Sequence, residues 1–186
     1  IQFMGSRAGE GTSTIVREFA WVAARKLNRT VLLLDADRSN PNQHLAFNVR
    51  PRHSWEDFLR DDREDKEIDE LFCQIGESRL FLSPISPRST SSPQVFDSLK
   101  MEEFFKELRQ RFDLVLVDSP PATISSDGMA LCRLTDGLVL VLEAEETRWQ
   151  VAERVKEQAI MNGGNILGLV FNKRRYHIPD FIQRRL

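Results

Sequence analysis

The chain has 186 residues, 41% of them hydrophobic, which is enough apolar material for one well-packed α/β domain. Its formal net charge of −2 produces no strong overall field, so we expect no nucleic-acid partner. The two cysteines and three histidines lack metal-ligand spacing, which argues against a zinc site and favours a reducing cytosol. No apolar run approaches the roughly 20 residues that a membrane-spanning helix needs.

Strand-like apolar runs alternate with helical patterns along the chain. The predicted strands are residues 1–4, 31–34, 80–84, 114–117, 138–142 and 166–171. Helical periodicity covers residues 15–23, 101–111 and 150–161. Continuous apolar strands separated by helices are typical of a parallel sheet covered on both faces. We therefore predict a single doubly wound α/β domain over residues 1–186. Because the chain opens on a core strand without methionine, we expect it to be part of a longer chain.

The most charged stretch runs from residue 50 to residue 76 and reads D-D-R-E-D-K-E at residues 61–67. Dense mixed charge of this kind is typical of a solvated surface, and we interpret the stretch as a solvated helix pair and loop.

A glycine-rich segment, G-S-R-A-G-E-G-T-S-T at residues 5–14, lies between the first predicted strand and the first predicted helix. That context is what a phosphate-binding loop of the pattern G-x-x-x-x-G-K-[ST] requires. Its backbone N–H groups would surround phosphate oxygens, and the helix N-terminus would add partial positive charge. Ser13 takes the position of the Mg²⁺-binding hydroxyl. Thr12 takes the position of the lysine that reaches the β- and γ-phosphates.

Polar residues follow three of the predicted strands. Asp35 and Asp37 come after the second strand, Asp118 after a central strand, and Asn172 after the last strand. Ligands of open parallel sheets bind at the carboxyl ends of the strands. Nucleotide hydrolysis or phosphoryl transfer needs carboxylates there, to hold Mg²⁺ and to orient or deprotonate the nucleophile. Turn and cap roles for Asp35 and Asp37 remain an alternative at this stage.

These motifs resemble the cytoplasmic kinase domain of bacterial tyrosine kinases, the BY-kinases, within the MinD/ParA class of P-loop ATPases. The resemblance covers nearly the whole chain. It rests on G-E-G-T-S-T at residues 9–14, where the family has G-E-G-K-[ST]-T, and on L-D-A-D-R at residues 34–38. It also rests on V-D-S-P-P at residues 117–121, followed by Asp127, and on F-N-K at residues 171–173. The combination of D-A-D with D-S-P-P is fairly specific within P-loop proteins.

The resemblance implies binding of ATP or ADP with Mg²⁺, in the service of capsule or exopolysaccharide production. It implies that Ser13, Asp35 and Asp118 organise the metal, and that Asp37 with Asp35 takes part in catalysis, Asp37 as the base. The implied cofactor-binding residues are Arg7, Gly9, Glu10, Gly11, Thr12, Ser13, Thr14 and Asn172. In the family, the asparagine at the position of Asn172 reads the adenine. In the wider class, a residue at the position of Arg7 reaches the phosphates of a neighbouring subunit, which allows a homo-oligomer; a surface role for Arg7 is equally open.

Two departures from the family pattern bear on activity. A charge-assisted hydrogen bond is worth roughly 1.5–3 kcal/mol, so Thr12 predicts triphosphate binding about tenfold to a hundredfold weaker, with impaired or altered phosphoryl transfer. The family's autokinases end in a tyrosine-rich tail, whereas this chain has one tyrosine, Tyr176. The basic tail at residues 173–186 is open to two interpretations, contact with anionic lipid or a terminal helix packed on the domain.

The resemblance also implies a membrane polysaccharide co-polymerase as partner. We accordingly expect a cytoplasmic domain, held at the inner face of the membrane by that partner or by a segment upstream of Ile1. Two alternatives remain: a structural adaptor that binds no nucleotide, and a DNA-partitioning ATPase. The D-S-P-P segment and the near-neutral charge argue against the partitioning ATPase.

Overall fold

The computed structural model describes residues 1–59, 68–86, 95–96 and 98–175. The strands are β1 (Gln2–Gly5), β2 (Val31–Asp35), β3 (Cys73–Gln74), β4 (Leu80–Ser83), β5 (Leu114–Asp118), β6 (Leu138–Glu143) and β7 (Ile166–Asn172). The α-helices are α1 (Thr12–Lys26), α2 (Gln43–Ala46), α3 (Leu99–Arg111), α4 (Asp127–Leu131) and α5 (Trp149–Met161). Short 3₁₀ helices span Trp55–Leu59, Ile68–Leu71 and Cys132–Leu134.

Within the described residues, the strands form one seven-stranded sheet in the order β3-β4-β2-β5-β1-β6-β7. All neighbouring strands are parallel except β3 and β4. The first strand lies between β5 and β6, so the chain runs to one side of β1 and later returns to the other. The glycine-rich loop that follows β1 therefore lies where the strand order reverses, which is where ligands of such sheets bind.

Helices cover both faces of the sheet because successive strand residues point to opposite sides. On one face, α1 packs against apolar residues of the central strands, namely Phe3, Leu33, Leu116 and Val141. On the other face, α3 packs against Leu32, Leu34 and Val117, and α5 packs against Leu138 and Leu140. The predicted doubly wound α/β fold is confirmed.

The six predicted strands and three predicted helices are all present, and three short elements were not predicted. Strand β3 has two residues, and α2 and α4 have four and five, which is too short to produce a periodic pattern. Residues 50–76 were interpreted as a solvated helix pair and loop; residues 60–67 of this stretch lie outside the description, and the described part forms two 3₁₀ helices and β3. Strand β3 pairs antiparallel with β4, so tertiary pairing rather than local sequence produces it.

The basic tail and its tyrosine lie largely beyond the described part of the chain, which ends at Arg175. The interpretations of residues 176–186, Tyr176 included, therefore concern residues outside the description. Among the described residues, no helix is long and apolar enough to cross a membrane.

Candidate functional site

The glycine-rich loop bends through two glycines whose backbone is left-handed. Gly9 has φ 88° and Gly11 has φ 89°, a conformation that side-chain-bearing residues rarely adopt. Gly11 also caps the N-terminus of α1, and a Cβ added to it would lie 2.3 Å from Nδ2 of Asn172. The first N–H groups of α1 have no intrahelical acceptor and carry the positive end of the helix dipole. The loop thus forms an open cradle suited to an anion.

Glu10 braces this loop from within. Its side chain is buried, and its carboxylate accepts hydrogen bonds from the Ser6 backbone N–H at 2.5 Å and the Arg7 backbone N–H at 2.9 Å. It also accepts from the hydroxyls of Ser6 at 2.8 Å and Thr147 at 2.5 Å. The side chain of Glu10 is therefore committed to the loop's own shape, which leaves its backbone as the part that can face a ligand.

Thr12 lies in the first turn of α1 with its side chain turned back on the loop. It is buried, and its Oγ1 would lie 2.8 Å from a Cβ added at Gly5. Its short side chain ends at the loop itself and brings no positive charge to the cradle.

Two carboxylates face each other beside the loop because of the strand register. Asp35 ends β2 and Asp118 ends β5, and the two are partners across the parallel pair. Both are almost fully buried, and the Ser13 side chain lies close to Asp118. Asp37 is close enough to raise the pKa of both carboxyl groups. The structure thus brings Ser13, Asp35, Asp37 and Asp118 together at the carboxyl edge of the sheet.

The electrostatics of this cluster favour the uptake of positive charge. Burial, followed by the negative charge of Asp118, raises the pKa of Asp35 above its ordinary value of 3.8. Burial also raises the pKa of Asp118, while the hydrogen bond from Gln43 and the nearby Ser13 hydroxyl oppose that rise. Two neighbouring buried carboxyl groups do not easily ionise together. Either one of them keeps its proton, or a cation lies between them.

Gln43 holds the cluster together, and the sequence analysis did not identify it. Its side chain is fully buried, and its Nε2 donates to Asp118 Oδ2 at 2.7 Å and to the Ser13 carbonyl at 3.0 Å. Its backbone N–H donates to Asp35 Oδ2 at 3.2 Å, and Arg17 donates to its Oε1 at 3.3 Å. A lone glutamine in a four-residue helix forms no motif, so its position shortly after D-A-D was the only available signal.

The other acidic residues of the motifs have structural partners. Oδ1 of Asp37 accepts from the Ser39 backbone N–H at 2.9 Å, from the Ser39 hydroxyl at 2.5 Å and from the Asn40 N–H at 3.2 Å, so a turn role applies to this oxygen. Asp127 lies 3.6 Å from the Arg38 guanidinium rather than in the acid cluster. Asp127 therefore anchors the segment after β2 to α4.

Arg7, which belongs to the loop, and Asn172, which ends β7, both connect the loop to other parts of the chain. The guanidinium of Arg7 pairs with Glu143 at 3.7 Å and Glu146 at 4.0 Å, at the end of β6 in the same chain. Nδ2 of Asn172 donates to the Glu10 carbonyl at 2.8 Å.

The neighbour of Asn172 also binds the loop. Nζ of Lys173 donates to the Gly9 carbonyl at 2.5 Å and lies 3.4 Å from Glu143. Thr14 lies in the first turn of α1, where its hydroxyl accepts from the Arg17 guanidinium at 3.5 Å. Among the predicted cofactor-binding residues, Asn172 comes from outside the loop, and its side chain contacts the loop at Glu10 and Gly11.

The residues present fit Mg²⁺ bound together with a nucleotide. Oδ1 of Asp118 is buried and has no hydrogen-bond partner within the described part of the chain. This oxygen is therefore available to coordinate a cation. Across the same residues, no group of three or more His, Cys, Asp or Glu side chains could hold a metal on its own. Mg²⁺ in nucleotide sites takes one or two carboxylates and completes its shell with phosphates and water, so these two facts agree.

Comparison with known proteins gives one family and a set of relatives. The family described as cellulose biosynthesis protein BcsQ matches residues 1–174. The tyrosine-protein kinase CpsD of Streptococcus agalactiae is 25% identical over 168 residues, which cover 90% of this chain and 72% of that protein.

Solved structures agree on the fold. The VpsO kinase domain superposes with a TM-score of 0.84 at 22% identity, covering 94% of this chain and 84% of that chain. The septum site-determining protein MinD from Pyrococcus horikoshii, solved with Mg-ADP, superposes with a TM-score of 0.77 at 20% identity, covering 98% and 75%. The expected relation to bacterial tyrosine kinases and to the MinD class is confirmed.

Proposed function

This chain belongs to the family described as cellulose biosynthesis protein BcsQ, and from that premise we propose that it is an ATP- or ADP-binding P-loop domain acting in exopolysaccharide biosynthesis or export. Its phosphoryl transfer is impaired or altered because Thr12 replaces the lysine of the loop. The protein-tyrosine kinases among its relatives retain the same architecture, so the difference lies in the loop chemistry rather than in the fold.

The observation that supports this proposal best is the convergence of three features at one edge of the sheet. The glycine cradle lies at a helix N-terminus, and the Ser13 hydroxyl lies close to Asp118. Asp35 places a second carboxylate beside Asp118. The unpartnered Oδ1 of Asp118 points to a cation at that position.

Each residue has a proposed role. The backbone of residues 9–13 holds the phosphates, while Ser13, Asp35 and Asp118 organise Mg²⁺. Asp37 is the candidate base through its Oδ2, since its Oδ1 is engaged in a turn. Asn172 contacts the base of the nucleotide. When bound, Mg²⁺ would neutralise charge on the phosphates, and the chain's own groups would position it.

The test is calorimetric titration of ADP and ATP, with and without Mg²⁺, into the native chain and Thr12→Lys. We expect measurable binding to the native chain and at least tenfold tighter binding to Thr12→Lys, because one charged contact is restored. Thr30→Lys is the matched control, since it adds the same charge just before β2, at the opposite edge of the sheet. Its affinity should equal that of the native chain.

If Thr12→Lys binds no tighter than the native chain, Arg7→Ala in both backgrounds separates two explanations. A loss of affinity in Arg7→Ala would mean that Arg7 already compensates for the missing lysine. Unchanged affinity would contradict the assignment of the phosphate contacts.

The second candidate function is a structural adaptor that binds no nucleotide. Two observations favour it: the loop lacks its lysine, and Lys173 already donates to the Gly9 carbonyl from within the chain. Absence of heat on titration of both nucleotides into both the native chain and Thr12→Lys would establish this candidate over the first.

We further propose that the partner is a membrane polysaccharide co-polymerase and that the domain works at the cytoplasmic face of the membrane, alone or as a homo-oligomer. Support comes from the family description and from relatives named as tyrosine-protein kinases. Co-purification of the chain with the polysaccharide synthase complex from membranes, compared with a strain lacking that complex, tests this proposal.

A further inference from the structure

A second cavity opens at the carboxyl edge of the sheet, beside the acid cluster but separate from the glycine loop. Its volume is about 590 Å³, and its lining includes His44, Arg50, Arg52 and His53. Small-molecule sites in proteins typically measure 300–1,000 Å³, so this cavity is of the size that a nucleotide-sized ligand needs. The charge pattern of residues 50–76 indicated only a solvated surface, and no motif gave a role to His44, Arg50, Arg52 or His53.

The positive charge of this cavity is not neutralised from within the described part of the chain. Arg50 and Arg52 are exposed, and neither makes a hydrogen bond or ion pair with any described residue. Among the described residues of the lining, the one carboxylate is that of Asp57, which accepts from the Ser54 backbone N–H at 3.1 Å and lies 3.6 Å from Nδ1 of His53. Two guanidinium groups thus face the cavity while its carboxylate is already engaged.

An imidazole adds an unused polar atom to the same wall. Nδ1 of His44 is buried and has no hydrogen-bond partner among the residues that the structure describes. Unsatisfied buried polar atoms are rare in folded proteins, and each calls for an explanation such as a ligand or a water molecule. The lining also has an apolar part, which comes from Pro51, Pro84 and Ile85.

We propose that this cavity binds a small phosphate ester, with its phosphate on Arg50, Arg52 and His44 and its organic part on Pro51, Pro84 and Ile85. Guanidinium groups suit phosphate because their planar fork donates two parallel hydrogen bonds to it. The site is distinct from the nucleotide loop and does not depend on nucleotide binding there.

The position of the cavity connects it to the acid cluster. His44 follows Gln43 in α2, and Gln43 binds Asp118 and Asp35. Pro84 and Ile85 follow β4, which pairs with β2, and β2 ends at Asp35. A ligand in the cavity therefore contacts the two elements that border the acid cluster.

The test is titration of the isotope-labelled chain with inorganic phosphate and with AMP, followed by ¹H–¹⁵N NMR. We expect concentration-dependent shifts at residues 44, 50 and 52–54, with AMP binding about fivefold tighter than phosphate or better because its base adds apolar contact. In the double variant Arg50→Gln/Arg52→Gln, affinity should fall at least tenfold. The double variant Arg148→Gln/Arg154→Gln removes two exposed arginines near α5 and should bind as the native chain does.

Three results would overturn the proposal. The first is the absence of shifts at residues 44, 50 and 52–54, and a result in which only the glycine loop at residues 9–14 shifts counts as such an absence. The second is equal affinity in the Arg50→Gln/Arg52→Gln variant and the native chain. The third is AMP binding no tighter than inorganic phosphate, which would remove the organic part of the ligand from the assignment. Failure of ATP or ADP to bind the glycine loop would leave these outcomes unaffected.

Discussion

At the scale of single residues, Gln43 links Asp118, Ser13 and Asp35, although no motif predicted it. It donates to Asp118 and to the Ser13 carbonyl through one amide nitrogen, and its backbone N–H donates to Asp35. It is completely buried, so each of these hydrogen bonds is made away from water. An acceptor left without a donor in such a place costs its full desolvation energy.

We predict that Gln43→Leu destabilises the chain by about 1–3 kcal/mol, because Leu has a similar volume but no donor for Asp118 Oδ2 and the Ser13 carbonyl. Urea unfolding measures this change. Gln158→Leu, at an exposed position of α5, is the control and should lie within about 0.5 kcal/mol of the native chain. A Gln43→Leu chain as stable as the control would show that the amide contributes nothing to the cluster.

The paired carboxyl groups predict a dependence of stability on pH. The pKa of Asp35 is raised in the folded chain, so above its ordinary value of 3.8 the folded chain binds more protons than the unfolded chain. The free energy of unfolding without divalent cations should therefore fall as the pH rises from about 4, and it should level off above the raised pKa.

The variant Asp35→Asn tests this prediction because it cannot titrate. Urea unfolding at a series of pH values, without divalent cations, should give a shallower decline in the variant than in the native chain. Parallel pH profiles in the two chains would contradict the raised pKa of Asp35.

At the scale of elements, the loop between β1 and α1 combines backbone strain with a close contact. Gly9 and Gly11 share nearly the same positive φ, but only at Gly11 would a Cβ meet another group, Nδ2 of Asn172 at 2.3 Å. Substitution of Gly9 therefore measures the cost of the backbone conformation alone, whereas substitution of Gly11 measures that cost together with the cost of the contact with Asn172 in β7.

We predict that Gly9→Ala destabilises the chain by about 1–2 kcal/mol through backbone strain and that Gly11→Ala destabilises it further. Thermal or urea unfolding measures both. Gly168→Ala is the control: a Cβ there meets nothing within 4 Å, so little change is expected. If the contact is the cause of the additional loss, Asn172→Ala combined with Gly11→Ala recovers it. Equal effects of Gly9→Ala and Gly11→Ala would rule out the contact.

At the scale of the whole molecule, one sheet order produces both the glycine cradle and the acid pair. Strand β5 lies between β2 and β1, so Asp118 lies next to Asp35 on one side and close to the loop after β1 on the other. The same order places β4 beside β2, which brings the second cavity to this edge. In the loop itself, Thr12 stands where a phosphate-binding loop has its lysine.

We predict no tyrosine autophosphorylation by this chain alone. The sequence contains a single tyrosine, Tyr176, which lies outside the described residues, and Thr12 replaces the lysine that stabilises charge during transfer. Intact-mass measurement after incubation with Mg-ATP is the test, with Thr12→Lys treated in parallel. One added phosphate mapped to Tyr176 in the native chain would restore the autokinase interpretation.

The sequence by itself determined the fold class and predicted most residues of the candidate site. Continuous apolar strands, a glycine loop in a strand–loop–helix context and acids at strand ends are local patterns, and each reports the environment of its own segment. For that reason Ser13, Asp35 and Asp118 could be named together before any strand was placed beside another.

The tertiary structure alone decided the features that depend on contacts between distant segments. Glu10 as a brace, the cluster role of Gln43 and the pairing of Asp127 with Arg38 all arise from packing between separate elements. Strand β3 forms by pairing with the edge of β4, and the cavity at Arg50 and Arg52 forms because three separate segments of the chain enclose it. Such contacts leave no periodic trace in either segment, since each residue's energy depends on a partner far away in the sequence.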